Sequence, residues 1–163
     1  MFNVGIITVS DKGSAGQRED LSGEVIRKIV ESKGYSVKIK EIIPDEEDEI
    51  HSRLLYMCDK LKVDLILTTG GTGFSKRDVT PEATRRACEK MADGISEAIR
   101  LYSLQITKRA MLSRAVSGIR GETLIINLPG SPKAVSESLE YIIDSVDHGL
   151  EILTGRSHDC ARK

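Results

Sequence analysis

Val63-Asp64-Leu65-Ile66-Leu67-Thr68-Thr69 runs straight into Gly70-Gly71-Thr72-Gly73, and this junction decides the fold. A short apolar run rich in β-branched residues reads as a buried strand. The glycines after it permit positive φ and let the backbone approach a ligand closely. A helix is expected to begin near Thr80-Pro81, with Pro at the first helical position, where the N–H it lacks has no helical partner anyway. Strand, glycine loop and helix in succession form the repeating unit of a parallel sheet.

The unit recurs on both sides. Val4 to Val9 is a buried strand ending in the polar Ser10-Asp11-Lys12-Gly13, and Leu21, Val25, Ile26, Ile29 and Val30 then fall at helical spacing before Gly34. Val37 to Ile43 alternates and is closed by Pro44, the pattern of a half-exposed strand near a sheet edge. The acidic run Asp45 to Glu49 opens a helix carrying Ile50, Leu54, Leu55, Cys58 and Leu61, with negative charge where the helix dipole favours it. Downstream, a helix is expected from about Gly94 to Thr107. Ala115 to Ile119 and Thr123 to Asn127 flank Arg120-Gly121-Glu122 as a hairpin. Val135, Leu139, Ile142, Ile143, Val146, Leu150 and Leu153 line the closing helix, which Gly155 follows. The expected fold class is α/β, with a mostly parallel sheet covered on both faces and one antiparallel hairpin. Neither a repeat nor a linker appears, so residues 1–163 read as a single domain. In such sheets ligands bind beyond the carboxyl ends of the strands, here at Ser10 to Gly13, Gly70 to Asp78 and Asn127 to Lys133.

Composition narrows the partners. With 163 residues, 39% hydrophobic and 30% charged, the chain has enough apolar surface for a continuous core. A formal charge of −1 and the lack of a basic block argue against nucleic acid. The three cysteines, Cys58, Cys88 and Cys160, show no CxxC spacing, and His51, His148 and His158 show no HxxxH spacing. Neither a disulfide framework, a zinc site nor a Cys-His nucleophile is expected. A reducing cytoplasm fits the cysteines, and no apolar run reaches the length of a membrane span.

Several residues are chemically suggestive, and each has a plainer reading. Gly70, Gly71, Thr72 and Gly73 would aim backbone N–H groups at a phosphate, or would simply form a tight turn; neither a Walker A loop nor a GxGxxG turn is present. Asp45 and Asp78 would suit Mg²⁺ bound to substrate phosphates, or would cap a helix and a turn. Pro129, Gly130, Ser131, Pro132 and Lys133 would hold an anion at a helix N-terminus, or Ser131 would be an ordinary N-cap. Ser113-Arg114 reads as a solvated turn. No protein nucleophile stands out, so a substrate is expected to supply the attacking atom.

Taken together, Thr68 to Gly73, Arg77-Asp78-Val79-Thr80-Pro81-Glu82-Ala83 and Asn127-Leu128-Pro129-Gly130-Ser131-Pro132-Lys133 closely resemble the signatures of the Mog/MoaB family, which includes the G domain of gephyrin. Val9-Ser10-Asp11, Asp20-Leu21-Ser22-Gly23, Ile43-Pro44-Asp45 and Leu112-Ser113-Arg114-Ala115 match as well, in order, from about Val4 to Gly155. The resemblance implies a three-layer αβα sandwich, assembled as a homotrimer. It implies binding of molybdopterin and ATP and, with Mg²⁺, transfer of AMP to the terminal phosphate of molybdopterin. Position by position, it makes Asp45 and Asp78 the catalytic carboxylates and metal ligands. Gly70, Gly71, Thr72 and Gly73 would cradle phosphate, and Ser113, Pro129, Gly130, Ser131 and Pro132 would bind ligand. Expected transient partners are molybdopterin synthase and a separate molybdenum-insertion protein, because the fused insertion domain of eukaryotic relatives is not present. The alternative class is a molybdopterin carrier or scaffold without turnover; the presence of both aspartates favours the enzyme.

Overall fold

The computed structural model describes residues 1–156; Cys160 and His158 lie outside them. The chain runs β1 (Asn3–Val9), a one-turn α1 (Asp11–Ser14), α2 (Leu21–Ser32), β2 (Ser36–Ile43), α3 (Glu47–Leu55) and β3 (Leu65–Thr69). It continues with α4 (Thr80–Ala87), β4 (Lys90–Met91), α5 (Asp93–Leu104), β5 (Ser117–Arg120), β6 (Thr123–Leu128) and α6 (Pro132–Leu153). The six strands form one sheet in the order β2-β1-β3-β6-β5-β4. Four are parallel, β5 pairs antiparallel with β6 as the expected hairpin, and β4 pairs antiparallel with β5.

Side-chain alternation divides the core into two layers. Val4, Ile6, Leu65, Leu67, Leu124 and Ile126 face α2, α5 and α6, where Ile26, Val30, Leu139, Ile143 and Leu150 meet them. Ile7, Val9, Ile66 and Ile125 face α3 and α4, against Ile50, Leu54, Met57 and Ala83. Each fully buried Ile or Leu contributes about 1.5–3 kcal/mol, so neither face survives without its helices. This is the three-layer αβα arrangement. Gly5 belongs to the second face, where a Cβ would lie 2.7 Å from Met57 Sδ, so α3 and the turn after it press directly on β1.

The register fixes where the loops emerge. Thr8 pairs with Thr69, Thr69 with Leu128, and Val9 with Ile43, so the four parallel strands end nearly level. Ser10, Pro44-Asp45, Gly70 and Pro129 therefore leave the sheet along one rim. Asn127, just inside it, is fully buried and spends its amide on the core: Nδ2 donates to Thr68 Oγ1 and Thr84 Oγ1, both at 2.9 Å, and Oδ1 accepts from Val116 N.

Three features differ from the sequence expectation. The helix expected to run to Leu61 widens into a π-helical turn at Tyr56–Lys60, which buries Met57 and Cys58. β4 is two residues long, too short to show any period. The expected helix ending near Thr107 stops at Leu104, and a 3₁₀ turn follows at Lys108–Leu112. β2 is an edge strand as expected, with Lys38 and Lys40 exposed. Among the described residues no helix is long and apolar enough to cross a membrane.

Candidate functional site

A cavity of about 700 Å³ opens on the rim, lined by Asp45, Asp78, Gly70, Gly71, Gly130, Ser131 and Pro132, all singled out from sequence. Thr72, Gly73, Ser113 and Pro129 line a different cavity of about 290 Å³, walled by Ile99 and Leu112. The residues expected in one place thus divide between two cavities, and the glycine loop takes part in both.

The loop is held in a conformation that only glycine adopts easily. Gly70 has φ +93° and Gly71 φ +66°. A Cβ on Gly70 would sit 2.4 Å from the Val9 carbonyl oxygen, a backbone atom that cannot give way. On Gly71 it would meet Thr80 Oγ1 at 2.4 Å and Asp45 Oδ1 at 3.2 Å. Thr80 fastens the loop by donating its N–H to Gly71 O at 3.1 Å and its hydroxyl to Gly70 O at 3.0 Å. The amides of Gly71, Thr72 and Gly73 donate to no protein acceptor among the described residues. Amides so left can take an anion, as a backbone cradle does.

Beside the loop lies a knot of acidic groups. Asp11 and Asp45 exchange hydrogen bonds: Asp11 N donates to Asp45 Oδ2 at 2.8 Å, and Asp45 N donates to Asp11 Oδ1 at 3.0 Å. Arg77 grips both oxygens of Asp11, at 3.0 and 2.9 Å, and reaches Glu46 Oε1 at 2.8 Å. Asp45 does not cap α3, whose N-cap is Glu46 without a side-chain bond; its Oδ2 instead takes the first amide of α1. Asp78 Oδ2 accepts from Ser75 N at 3.0 Å and closes a turn, while the N-cap of α4 is Val79. The capping reading therefore fails for Asp45 at α3 and holds for Asp78 only as a turn. The hydrogen bonds from Arg77, and then the Asp45 amide, hold the Asp11 carboxyl below its ordinary value. Burial pushes the Asp45 carboxyl up, against the Asp11 amide, and repulsion from Asp11 and Asp78 adds to the rise.

Among the described residues no three His, Cys, Asp or Glu side chains form a metal cage. The donor set still suits Mg²⁺, which takes one or two protein carboxylates and completes its shell with water and substrate phosphate. Oδ1 of both Asp45 and Asp78 accepts no hydrogen bond among the described residues, and Asp45 carries the repulsion a cation would relieve.

The Pro129 to Pro132 turn is anchored from two sides. Thr69 Oγ1 donates to Pro129 O at 2.5 Å, and Ser22 Oγ donates to Gly130 O at 2.7 Å. Ser131 is the N-cap of α6 through its bond from Ala134 N, with Pro132 at the first position; the plain reading of Ser131 holds, and the residue also lines the cavity. Lys133 does not line either cavity; it is exposed, with Glu137 4.0 Å away. Sequence reasoning passed over Arg18, and it quoted Asp11, Asp20 and Arg114 within matched signatures without giving them a role at the site. Arg18 and Asp20 line the large cavity, Asp20 also capping α2 through Gly23 N. Arg114 is no solvated turn: it donates to Gly73 O at 2.7 Å and Asp78 O at 2.8 Å, and pairs with Glu82. The order Ser10-Asp11 after a strand was the available signal for Asp11. The partners of Arg114 are more than 30 residues away, beyond the reach of any spacing rule.

Residues 5–148 match a family model described as "Probable molybdopterin binding domain". The chain is 41% identical over 158 residues to the molybdopterin adenylyltransferase of Helicobacter pylori J99, covering 94% of this chain and 89% of that protein. It is 40% identical to part of gephyrin from Dictyostelium discoideum, covering 94% of this chain and 23% of that longer protein. The crystal structure of the molybdopterin biosynthesis enzyme MoaB from Thermus thermophilus superposes with a TM-score of 0.90 at 47% identity, covering 95% of this chain and 98% of that one. The rim of level strand ends, the glycine loop and the ordered signatures thus come with whole-length similarity in sequence and fold, and the chain belongs to the molybdopterin-binding family of Mog and MoaB proteins.

Proposed function

We propose that the chain is a molybdopterin adenylyltransferase, which transfers AMP from ATP to the terminal phosphate of molybdopterin in molybdenum cofactor synthesis. The observation that carries this reading is the pair Asp45 and Asp78 in one cavity, each with a free Oδ1, beside a glycine loop whose amides are unspent. An oxygen of the molybdopterin phosphate attacks the α-phosphorus of ATP, the bond to the bridging oxygen of the β-phosphate breaks, and pyrophosphate leaves. The protein contributes position and charge, not a nucleophile. The amides of Gly71, Thr72 and Gly73 orient phosphate oxygens, and Gly130, Ser131 and Pro132 shape the opposite wall. Asp45 and Asp78 would hold Mg²⁺, which when bound neutralises phosphate charge.

A carrier would need the cradle but not two carboxylates facing the same cavity. The protein is proposed to act in the cytoplasm as a homotrimer, a reading that the resemblance to the Mog/MoaB family supports; a monomer by light scattering at micromolar concentration would overturn it. Molybdopterin synthase upstream and a separate insertion protein downstream are the proposed transient partners. The deciding experiment incubates the protein with molybdopterin, ATP and Mg²⁺ and looks for adenylylated molybdopterin and pyrophosphate. Tight molybdopterin binding without either product would make the protein a carrier.

A further inference from the structure

The segment that carries Asp78 leaves the glycine loop at Gly73 and joins α4 after Asp78, with Phe74, Ser75, Lys76 and Arg77 exposed between. Its internal bonds are few: Asp78 N donates to Ser75 O at 3.0 Å, Ser75 N donates to Asp78 Oδ2 at 3.0 Å and Arg77 N donates to Ser75 Oγ at 3.4 Å, while the Arg77 side chain ties the middle outward to Asp11 and Glu46. Both ends are gripped from outside by one side chain. Arg114 Nε donates to Gly73 O at 2.7 Å and Arg114 Nη2 donates to Asp78 O at 2.8 Å, while Nη1 pairs with Glu82 in the first turn of α4. The main chain of Arg114 adds a bond from its N–H to Thr72 O at 2.9 Å. A planar guanidinium fork spanning two carbonyls and a carboxylate sets the separation of those three groups, which a lysine cannot do.

We infer that Arg114 is a positioning residue for the adenylyl transfer: it fixes the span from Gly73 to Asp78 and so places the Asp78 carboxylate, without itself touching substrate. The inference rests on the assignment of Asp78 above. Arg114 sits just ahead of β5 and Glu82 lies on α4, so the segment is stapled to the sheet and to a helix at once. Oε2 of Glu82 is buried and without a hydrogen-bond partner, and Oε1 of the same carboxylate pairs with Arg114.

The test compares Arg114→Lys, Arg114→Ala and Glu82→Gln with the wild type, after adenylyl transfer by the wild type has been established. Displacing a reacting group by about 1 Å costs on the order of 100-fold in rate, so Arg114→Lys should lower kcat by about 10- to 100-fold with KM for molybdopterin within about 3-fold. Amide hydrogen exchange at Ser75 and Asp78 should accelerate in the same variant. Millimolar guanidinium should restore part of the kcat of Arg114→Ala. Glu82→Gln keeps an oxygen acceptor for Arg114, so kcat should fall by less than about 5-fold, which separates the carbonyl grip from the ion pair. A parallel loss of kcat and molybdopterin binding in Arg114→Lys would mean that Arg114 contacts ligand, and unchanged kcat with faster exchange would mean that Asp78 does not need the clamp. Either result overturns the inference. An inactive wild type would instead overturn the functional assignment.

Discussion

The two ends of the sheet are built from the same kinds of residue and treat them in opposite ways. At the amino ends of the parallel strands, polar groups find partners within the protein. Asn3 N donates to Asp64 Oδ2 at 2.7 Å, Tyr35 OH to Asp147 at 2.7 Å, Thr123 Oγ1 to Val63 O at 2.6 Å, and Arg120 grips both oxygens of Asp59 at 2.9 and 2.8 Å. At the carboxyl ends, the amides of Gly71, Thr72 and Gly73 are left without acceptors among the described residues, and Asp45 is desolvated among like charges. One end is arranged for stability. The other withholds satisfaction from groups that a ligand can satisfy, and this asymmetry is the structural ground for proposing the site there.

The sharpest break of the comparison comes from the rim carboxylates. Asp78→Asn keeps the acceptor for Ser75 N but removes a charge, so turnover should fall by about 100- to 1000-fold, the usual cost of removing one preorganised electrostatic group. Molybdopterin binding should persist, as measured on the same folded protein. Near-normal turnover would remove Asp78 from the chemistry. Asp45→Asn should lose turnover comparably while its thermal midpoint holds or rises. Because the folded-state value of Asp45 lies above its ordinary one, its contribution to stability is full only below the ordinary value and is lost as pH rises through the folded one. Above the folded-state value the ionised group therefore opposes folding, and the neutral amide removes that cost. A clear drop in midpoint on Asp45→Asn would contradict this account.

Gly71→Val comes next. The side chain would meet Thr80 Oγ1 and Asp45 Oδ1 in a backbone region that β-branched residues resist, so molybdopterin affinity should drop by about 10-fold or more in isothermal titration. Unchanged affinity in a folded variant would separate the loop from the ligand. The opposite end should behave in reverse. Asp59→Asn weakens the grip of Arg120 on a half-exposed partner and should lower Tm by no more than about 2–4 °C, with turnover unchanged. Loss of turnover there would dissolve the distinction between the two ends.

The smallest expected effect concerns Cys58 and Cys88, whose thiols burial pushes up to about 11. At pH 8 about one part in a thousand is thiolate, so in a Cys160→Ser variant both should label slowly with a thiol reagent until the protein unfolds. Rapid labelling of the native protein would show that the second face of the sheet opens.

The elements themselves were legible because they alternate at helix and strand periods over many residues. Val4 to Val9, Leu21 to Val30 and Val135 to Leu153 each carry several redundant apolar positions. β4 was not, since Lys90 and Met91 are strand only because Gly118 and Ile119 lie beside them. The site was half legible. Gly70 and Gly71 announce themselves by type, and Asp45 and Asp78 by their place after strands. The division of Thr72, Gly73, Ser113 and Pro129 into a second cavity depends on how the glycine loop folds between β3 and α4, which no local pattern records. Arg114 read as part of a solvated turn because its partners lie on the segment from Gly73 to Asp78 and on α4.

The two borders of the sheet carry a consequence for assembly. One border is β4, which offers two residues of backbone; the other is β2, where Lys38 and Lys40 stand out into solvent. A foreign strand would find too few amides at the first and would bring its own side chains against two ammonium groups at the second. Open-ended strand addition, the route to fibrils, is thereby discouraged at both margins. Copies of the chain that associate must do so through helices and loops, which allows a closed ring of subunits and disfavours an endless ribbon.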